Sequence, residues 1–467
     1  MAVTTPGIDF LARSILRFSP LGIIYIISHQ LSVRYFGYSI VSPAYALYLL
    51  VFAIVASVLR VVLVKISHRR EAKALGAQQI PKVKGRWIGG IDVFRRVMHS
   101  WAHEYPGDAL ADYVQKFGNV INLYVLWRNN IFTTCPEHIK MILATDFNNY
   151  EKGSTFRNCL EALLGTGVFN SDGEMWKFHR SMTRPFFSRE RISHFDIFDR
   201  HADITIQRAK QHLRSGYAID FQDLMSRFTL DSATEFLFGS SVHSLHGGLR
   251  FPHNALFVQD SSLPAAVSKA EEFSDSFLKA QEIIVNRERR SVMWPLFEIF
   301  GDAVKDHMKV VNAFVDPIVK EAIERRRIID ATVKADGAQV EKASVSGVSD
   351  DENLLDHLVK LTSDPRILKD EALNIMLAGR DTTAATLTFV IYFLAMYPGV
   401  LRRLREEVLV KVGQIRRPTY DDIREMKYLR AVINETLRLY PVVYVLSHVH
   451  IGRTFLIFVT GRSIRGS

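Results

Sequence analysis

Residues 370–397 read DEALNIMLAGRDTTAATLTFVIYFLAMY and are followed by Pro398-Gly399. The stretch is apolar almost all round, the pattern of a buried central helix rather than a surface one, and the Pro-Gly pair ends it. Its middle, Ala378-Gly379-Arg380-Asp381-Thr382-Thr383, places an acid and two hydroxyls where an unpartnered polar group is costly. Gly379 removes a side chain from one face and lets another group approach the backbone. Thr382 can return its hydroxyl to the carbonyl of Ala378, one turn earlier, and open the helix slightly. A kinked helix with an adjacent acid and alcohol suits proton delivery. A structural site, with Arg380 paired to Asp381 or a neighbour, fits the same residues.

Two further motifs flank this helix. Upstream, Gly165-Thr-Gly-Val-Phe-Asn-Ser-Asp172-Gly173 leads into Glu174-Met-Trp176-Lys-Phe-His179-Arg180 and then Arg184-Pro-Phe-Phe187. Asp172-Gly173 is a turn pair and Trp176–Thr183 reads as the helix after it. Trp176, His179 and Arg180 fall at i, i+3 and i+4, so the spacing puts an indole, an imidazole and a guanidinium on one face. Such a donor cluster suits carboxylates or phosphates. An exposed amphipathic helix with Trp176 as a core anchor is the competing reading. Downstream, Glu435 and Arg438 stand at i, i+3 on a helix whose other face carries Leu429, Val432, Ile433 and Leu437, a common surface arrangement when taken alone.

The rest of the chain is helical in pattern, with predicted helices over His194–His212, Phe221–Phe238, Ala270–Arg290 and Ala303–Arg327. Partial alternation over residues 117–134 predicts a small strand pair. Lys334–Glu352, rich in Ser, Gly and Asp, is expected to be a flexible surface loop. Near the N-terminus, residues 43–64 read PAYALYLLVFAIVASVLRVVLV, with Arg60 as the single charge. An apolar run of about 20 residues spans the hydrocarbon of a bilayer. Basic residues follow it at Lys65, Arg69, Arg70 and Lys73, which predicts a cytoplasmic main domain. The earlier apolar stretch Leu21–Ile27 is too short to span alone; it lies in the interface or pairs with the main span.

Composition is that of a folded protein: 48% of the 467 residues are apolar and 23% charged, which excludes wholesale disorder. The net charge of +10 suits a nucleic acid, an anionic lipid surface or an acidic protein. The bases are scattered in short clusters, with no aromatic-interleaved basic stripe, so no nucleic-acid partner is expected. Two cysteines, Cys135 and Cys159, make no disulfide framework and fit a reducing compartment.

Taken together and in this order, the Trp176-x-x-His179-Arg180 segment, Ala378–Thr383 and the Glu435-x-x-Arg438 helix ending in Leu439-Tyr440-Pro441 resemble the cytochrome P450 family. The resemblance runs from the membrane span to about Val443. Ala144–Gly153, Gly165–Phe169 and Arg184–Ser188 are most similar to fungal microsomal hydroxylases of alkanes and fatty acids. It implies a mainly α fold with minor β: an anchor region over 1–70 (span about 43–64), one large helical haem-monooxygenase domain over 71–443, and an off-pattern tail over 444–467. It implies haem b as cofactor, with Trp176, His179 and Arg180 on the helix that holds the propionates. Asp381 and Thr382 would deliver protons to dioxygen, and Glu435 with Arg438 would form a buried structural ion pair. Electrons from NADPH would arrive through a membrane-bound flavin reductase, the substrate would be lipophilic, and the location would be the endoplasmic reticulum membrane.

The resemblance breaks after Val443. The family continues to a Phe-x-x-Gly-x-Arg-x-Cys-x-Gly loop whose thiolate is the proximal iron ligand, whereas no cysteine follows Cys159 here. No metal ligand is therefore assigned: Cys135 and Cys159 do not match that context, and His448 and His450 have no specific ligand geometry. The tail is expected to arise from a retained intron or a shifted frame. The alternative function is accordingly a catalytically inactive, membrane-anchored remnant that lacks the thiolate. A tethered binding protein without redox chemistry has no positive support in the sequence.

Overall fold

The computed structural model describes residues 5–36, 43–105, 107–187, 196–252, 265–335, 352–443, 446–450 and 456–459. The chain forms two compact units, one of residues 1–83 with 292–303, the other of residues 84–291 with 304–467.

The smaller unit is built on two helices, α1 (Pro6–Phe36) and α2 (Pro43–Ala74). Leu47, Val51, Phe52, Ile54, Val55 and Val58 of α2 all face outward. In water such exposure is unfavourable, whereas a helix that satisfies its own backbone and shows apolar side chains all round is at ease in hydrocarbon. Among the described residues α2 is the one single helix long and apolar enough to cross a membrane. The short apolar stretch at Leu21–Ile27 lies within the much longer α1, which touches α2. The start of α1 is tied to the 292–303 segment: Thr5 Oγ1 donates to the Ile299 carbonyl and Gly7 N to that of Glu298.

The larger unit is mostly helical. Its helices are α3 (Ile91–His103), α4 (Asp108–Phe117), α5 (Pro136–Lys140), α6 (Gly153–Leu164), α7 (Gly173–Thr183), α8 (Asp196–Arg214), α9 (Phe221–Phe238) and α10 (Ala265–Arg290). They continue as α11 (Lys305–Ala335), α12 (Leu354–Leu361), α13 (Pro365–Met396), α14 (Pro398–Lys411), α15 (Tyr420–Glu425) and α16 (Lys427–Leu439). The predicted helices agree to within a few residues at most ends, and α9 has the predicted bounds. Asp220 caps it by accepting from Asp223 N at 3.0 Å, as an N-terminal carboxylate should. Gly239, with φ 75°, stops it in the left-handed conformation that favours glycine. α9 runs along α13, and the two make the most extensive helix contact in the unit. Leu224, Met225, Leu245 and Ala384 form one core cluster there. The predicted loop over Lys334–Glu352 lies almost entirely outside the described residues.

Five strands of this unit join in the order β1-β2-β5-β4-β3: β1 (Val120–Val125), β2 (Arg128–Thr133), β3 (Tyr150–Glu151), β4 (Leu446–His450) and β5 (Leu456–Val459). The predicted strand pair is the β1–β2 hairpin, antiparallel with Val120 opposite Thr133. The described part of the 444–467 tail joins this sheet. β4 and β5 form an antiparallel pair, β5 runs parallel to β2, and β4 pairs with β3 through His450 and Tyr150. His448 and His450 are thus sheet residues, and burial pushes the His448 imidazole below its ordinary range.

Candidate active site

α13 starts at Pro365, where a missing N–H costs nothing, and Asp364 caps it by accepting from Arg366 N at 2.9 Å. Its first half is deeply enclosed: Leu368, Asp370–Asn374, Met376 and Arg380 are all buried. The second half is more open than an all-apolar pattern predicts, with Ile391, Tyr392 and Met396 exposed.

The expected back-bond is present, with Thr382 Oγ1 donating to the Ala378 carbonyl at 2.7 Å. Thr386 repeats the pattern onto the Thr382 carbonyl at 2.7 Å, so two successive turns carry hydroxyls that compete with the helix ladder. Gly379, by contrast, is exposed. A Cβ there would meet only Ala233 Cβ, at an ordinary 3.7 Å, so no described group makes the close backbone approach expected at this glycine.

Arg380 and Asp381 divide sharply. Arg380 is 3% exposed at its side chain and lies against the Phe277 ring at 5.6 Å, with Nη1 at 3.6 Å from Asp381 Oδ1. Its Nε and Nη1 have no hydrogen-bond partner among the described residues. Burial pushes the guanidinium below its usual range against the pull of Asp381, and lifts the Asp381 carboxyl against the pull of Arg380. The Asp381 side chain keeps 38% of its surface open, which limits that lift compared with a fully enclosed acid.

On α7 the three expected donors are split by burial, His179 turning inward while Arg180 stays exposed. Trp176 packs on Phe147 at a ring distance of 5.1 Å. His179 is fully buried, its Nδ1 2.8 Å from Glu371 Oε2. Arg180 is exposed and, among the described residues, has no hydrogen-bond or ion-pair partner. The reason is helical geometry together with a buried acid: adjacent residues point about 100° apart, and Glu371 draws His179 inward while Arg180 stays outside. Glu435 and Arg438 pair bidentately at 2.7 and 2.6 Å, as the spacing allows, but on the surface. Their side chains are 56% and 40% exposed, which corrects the buried pair implied by the resemblance. An i, i+3 pair closes within its own helix and needs no element packed over it.

The structure also gathers residues that the motif spacing does not mark. Asp370, Glu371 and Asn374 project from α13 onto the Gly165–Asn170 loop. Asp370 Oδ2 accepts from Thr166 N at 2.8 Å and Thr166 Oγ1 at 3.1 Å. Glu371 Oε2 accepts from Val168 N at 3.1 Å, and Asn374 Oδ1 from Phe169 N at 2.9 Å. Asn374 Nδ2 donates to the Leu164 carbonyl at 2.8 Å. Two acids and an amide in an otherwise apolar helix are the available signal, since buried polar groups need partners.

Burial lifts the Asp370 carboxyl above its ordinary value of 3.8, opposed by the two Thr166 bonds. The folded chain then holds this proton more tightly than the unfolded chain. The resulting stabilisation is whole below the unfolded pKa and is lost as pH rises through the folded one. Asp370→Asn, which cannot ionise, is therefore expected to gain stability relative to wild type between about pH 4 and about pH 7. Urea unfolding at both values reads this, and an unchanged difference would show that Asp370 does not carry it.

The donor set fits part of a haem site. Arg180 is a free cation suited to a carboxylate, and α13 offers a hydroxyl and an acid together. Cys159 does not fit as a thiolate ligand, which needs a lowered pKa. Cys159 is buried and its thiol is pushed up to about 12. Cys135 Sγ donates to Glu137 Oε2 at 2.8 Å. Among the described residues no His, Cys, Asp and Glu cluster could hold a metal ion, and no role at iron is assigned to any residue.

Comparison with known proteins supplies the wider frame. The family model for Cytochrome P450 matches residues 93–454, extending past Val443, where the motif resemblance ends, and through the whole of β4. Cytochrome P450 52A3-A of Candida maltosa is 37% identical over 321 residues, 67% of this chain and 55% of its own length. Cytochrome P450 52E2 of Candida apicola is 34% identical over 376 residues, 79% of this chain and 66% of its own length. Cytochrome P450 52-E3 of Starmerella bombicola is 34% identical over 379 residues, again 79% and 66%. The chain thus spans between 55% and 66% of the length of these relatives.

Proposed function

Because the chain belongs to the cytochrome P450 family, we propose that it is a haem-dependent monooxygenase that hydroxylates long-chain alkanes or fatty acids. Electrons come from NADPH through a flavin reductase on the same membrane, and α2 anchors the chain in the endoplasmic reticulum with its main domain cytoplasmic. The observation that carries this reading is the acid–alcohol pair on α13, with Thr382 Oγ1 held on the Ala378 carbonyl beside Asp381. Haem, when bound, supplies the dioxygen chemistry.

The chain's own residues supply binding and protons. Thr382 donates its hydrogen to Ala378, so its oxygen is aimed and its lone pairs can accept. Asp381 is lifted by burial, which brings a carboxyl nearer the range in which it exchanges a proton at neutral pH. Arg180 offers two parallel N–H bonds to a propionate. An apolar substrate meets Met175 and Phe178, large apolar side chains that the fold leaves exposed on α7 near Arg180 in sequence.

The test is the full chain in vesicles with haem, the reductase, NADPH and a long-chain fatty acid or alkane. Hydroxylated product is expected, and Thr382→Ala and Asp381→Asn are each expected to lower product per NADPH consumed by about 10²-fold. Haem-loaded wild type that consumes NADPH without forming product would sink this reading in favour of the inactive remnant.

A further inference from the structure

A single carboxylate oxygen joins three elements around Arg180. Glu371 Oε2 on α13 accepts from Val168 N at 3.1 Å and lies 2.8 Å from His179 Nδ1 on α7. Both side chains of the contact are fully buried; it is a charge contact rather than an aligned hydrogen bond, and neither Glu371 Oε1 nor either ring nitrogen of His179 has a hydrogen-bond partner among the described residues. A buried pair of this kind is a poor source of stability, because desolvation offsets the attraction; its best-attested use is to fix register.

What it fixes here is the rotation of α7. Arg180 follows His179 directly and points about 100° away from it. With His179 held against α13, the Cα–Cβ bond of Arg180 has one direction in which to leave the helix. A rotation of α7 by about 10° would carry a group at the helix surface, roughly 5–6 Å from the axis, by about 1 Å. To keep bidentate contact with a carboxylate after such a shift, the arginine must leave its preferred rotamers, which weakens the contact. The same oxygen holds the Gly165–Asn170 loop, so loop and helix share one reference point on α13.

We propose that Glu371 is a positioning residue for porphyrin binding, acting through His179 to aim Arg180 at a propionate. This rests on the haem reading of Arg180 above. It adds a residue on the central helix that touches no cofactor and yet sets the cofactor's orientation.

The experiment titrates the full chain with metal-free protoporphyrin IX and with its dimethyl ester, following quenching of tryptophan fluorescence. Neither probe depends on an iron ligand, and only the free acid carries propionate charge. Wild type is expected to bind the free acid roughly 10-fold more tightly than the ester, the scale of one charge-assisted contact. Arg180→Leu abolishes this preference. Glu371→Leu abolishes it as well, and the R180L/E371L double variant loses nothing further. If Glu371→Leu loses its helical circular dichroism, the H179L/E371L variant, which leaves no buried charge alone, decides in its place.

A merely structural role would weaken both porphyrins equally and leave the ratio intact. That result, or an unchanged ratio in the deciding variant, overturns the proposal. A wild type without preference, or an Arg180→Leu variant that keeps it, overturns the haem reading of Arg180 and the positioning role with it.

Discussion

Asp231→Ala is expected to lower the unfolding free energy by about 3–5 kcal/mol, the range for removing one partner from a buried charged network. Asp231 is 1% exposed in the middle of α9. Its Oδ1 accepts from Ser244 N at 2.7 Å and Ser244 Oγ at 2.8 Å, and its Oδ2 from Leu245 N at 3.0 Å. Arg227, one turn earlier on α9, donates from Nη1 to the Ser244 carbonyl at 3.0 Å. The turn at Ser244–His246 is therefore held to α9 from both its N–H and C=O sides. Alanine would leave two buried backbone N–H groups without acceptors, and each such group costs about 1–3 kcal/mol. Relief of the carboxylate's own desolvation offsets part of this. Asp231→Asn keeps an acceptor oxygen and is expected to lose roughly half as much. Urea unfolding followed by circular dichroism measures both; a loss under about 1 kcal/mol for the alanine variant would mean that water replaces the carboxylate. Because α9 lies along α13, with Ala233 facing Gly379, the loss bears directly on the candidate site.

Gly165→Ala is the second large effect, and it acts on the loop rather than the core. Gly165 ends α6 with φ 50° and ψ -128°. An L side chain enters that conformation only with strain of about 1–3 kcal/mol. A Cβ there would stand 2.1 Å from Asp370 Cγ. Either the loop or the carboxylate must move, and both bonds from Thr166 to Asp370 break together. Bonds to a charged group are worth about 1.5–3 kcal/mol each, so a total loss of about 3 kcal/mol or more is expected. Thermal unfolding gives the magnitude. Hydrogen exchange at Thr166, Val168 and Phe169 gives the place, since these three amides donate to α13 in the native chain. Slow exchange retained at all three would show that the loop accommodates the methyl group without leaving the helix.

Much of the helical framework is legible because its signals are local. The cap at Asp220 and the left-handed Gly239 delimit α9 within the sequence that forms it. α2 announces itself through an unbroken apolar run, and Thr382 reaches Ala378 within one turn of its own helix. Glu435 and Arg438 meet for the same reason, while their exposure is set by what packs over α16.

The site is only half legible. Trp176, His179 and Arg180 share a face by spacing, yet His179 turns inward because an acid in α13 stands there. Motif spacing does not mark Asp370 or Glu371 as functional, since their partners lie more than two hundred positions upstream at Thr166 and Val168. The motif resemblance ends at Val443 while the family model continues to residue 454, and Leu446–His450 and Leu456–Val459 pair with strands that distant segments provide.

Periodicity, caps and short motifs act over a turn or two, so the helices, an apolar stretch long enough to cross a membrane, the family and the acid–alcohol pair on the central helix can be read from the residues in order. Tertiary structure alone decided which charges are buried, which way α7 is turned, and that one oxygen of Glu371 serves both the loop and His179. Those outcomes depend on where distant segments meet, and the burial that makes an unpaired charge costly exists only once they have met.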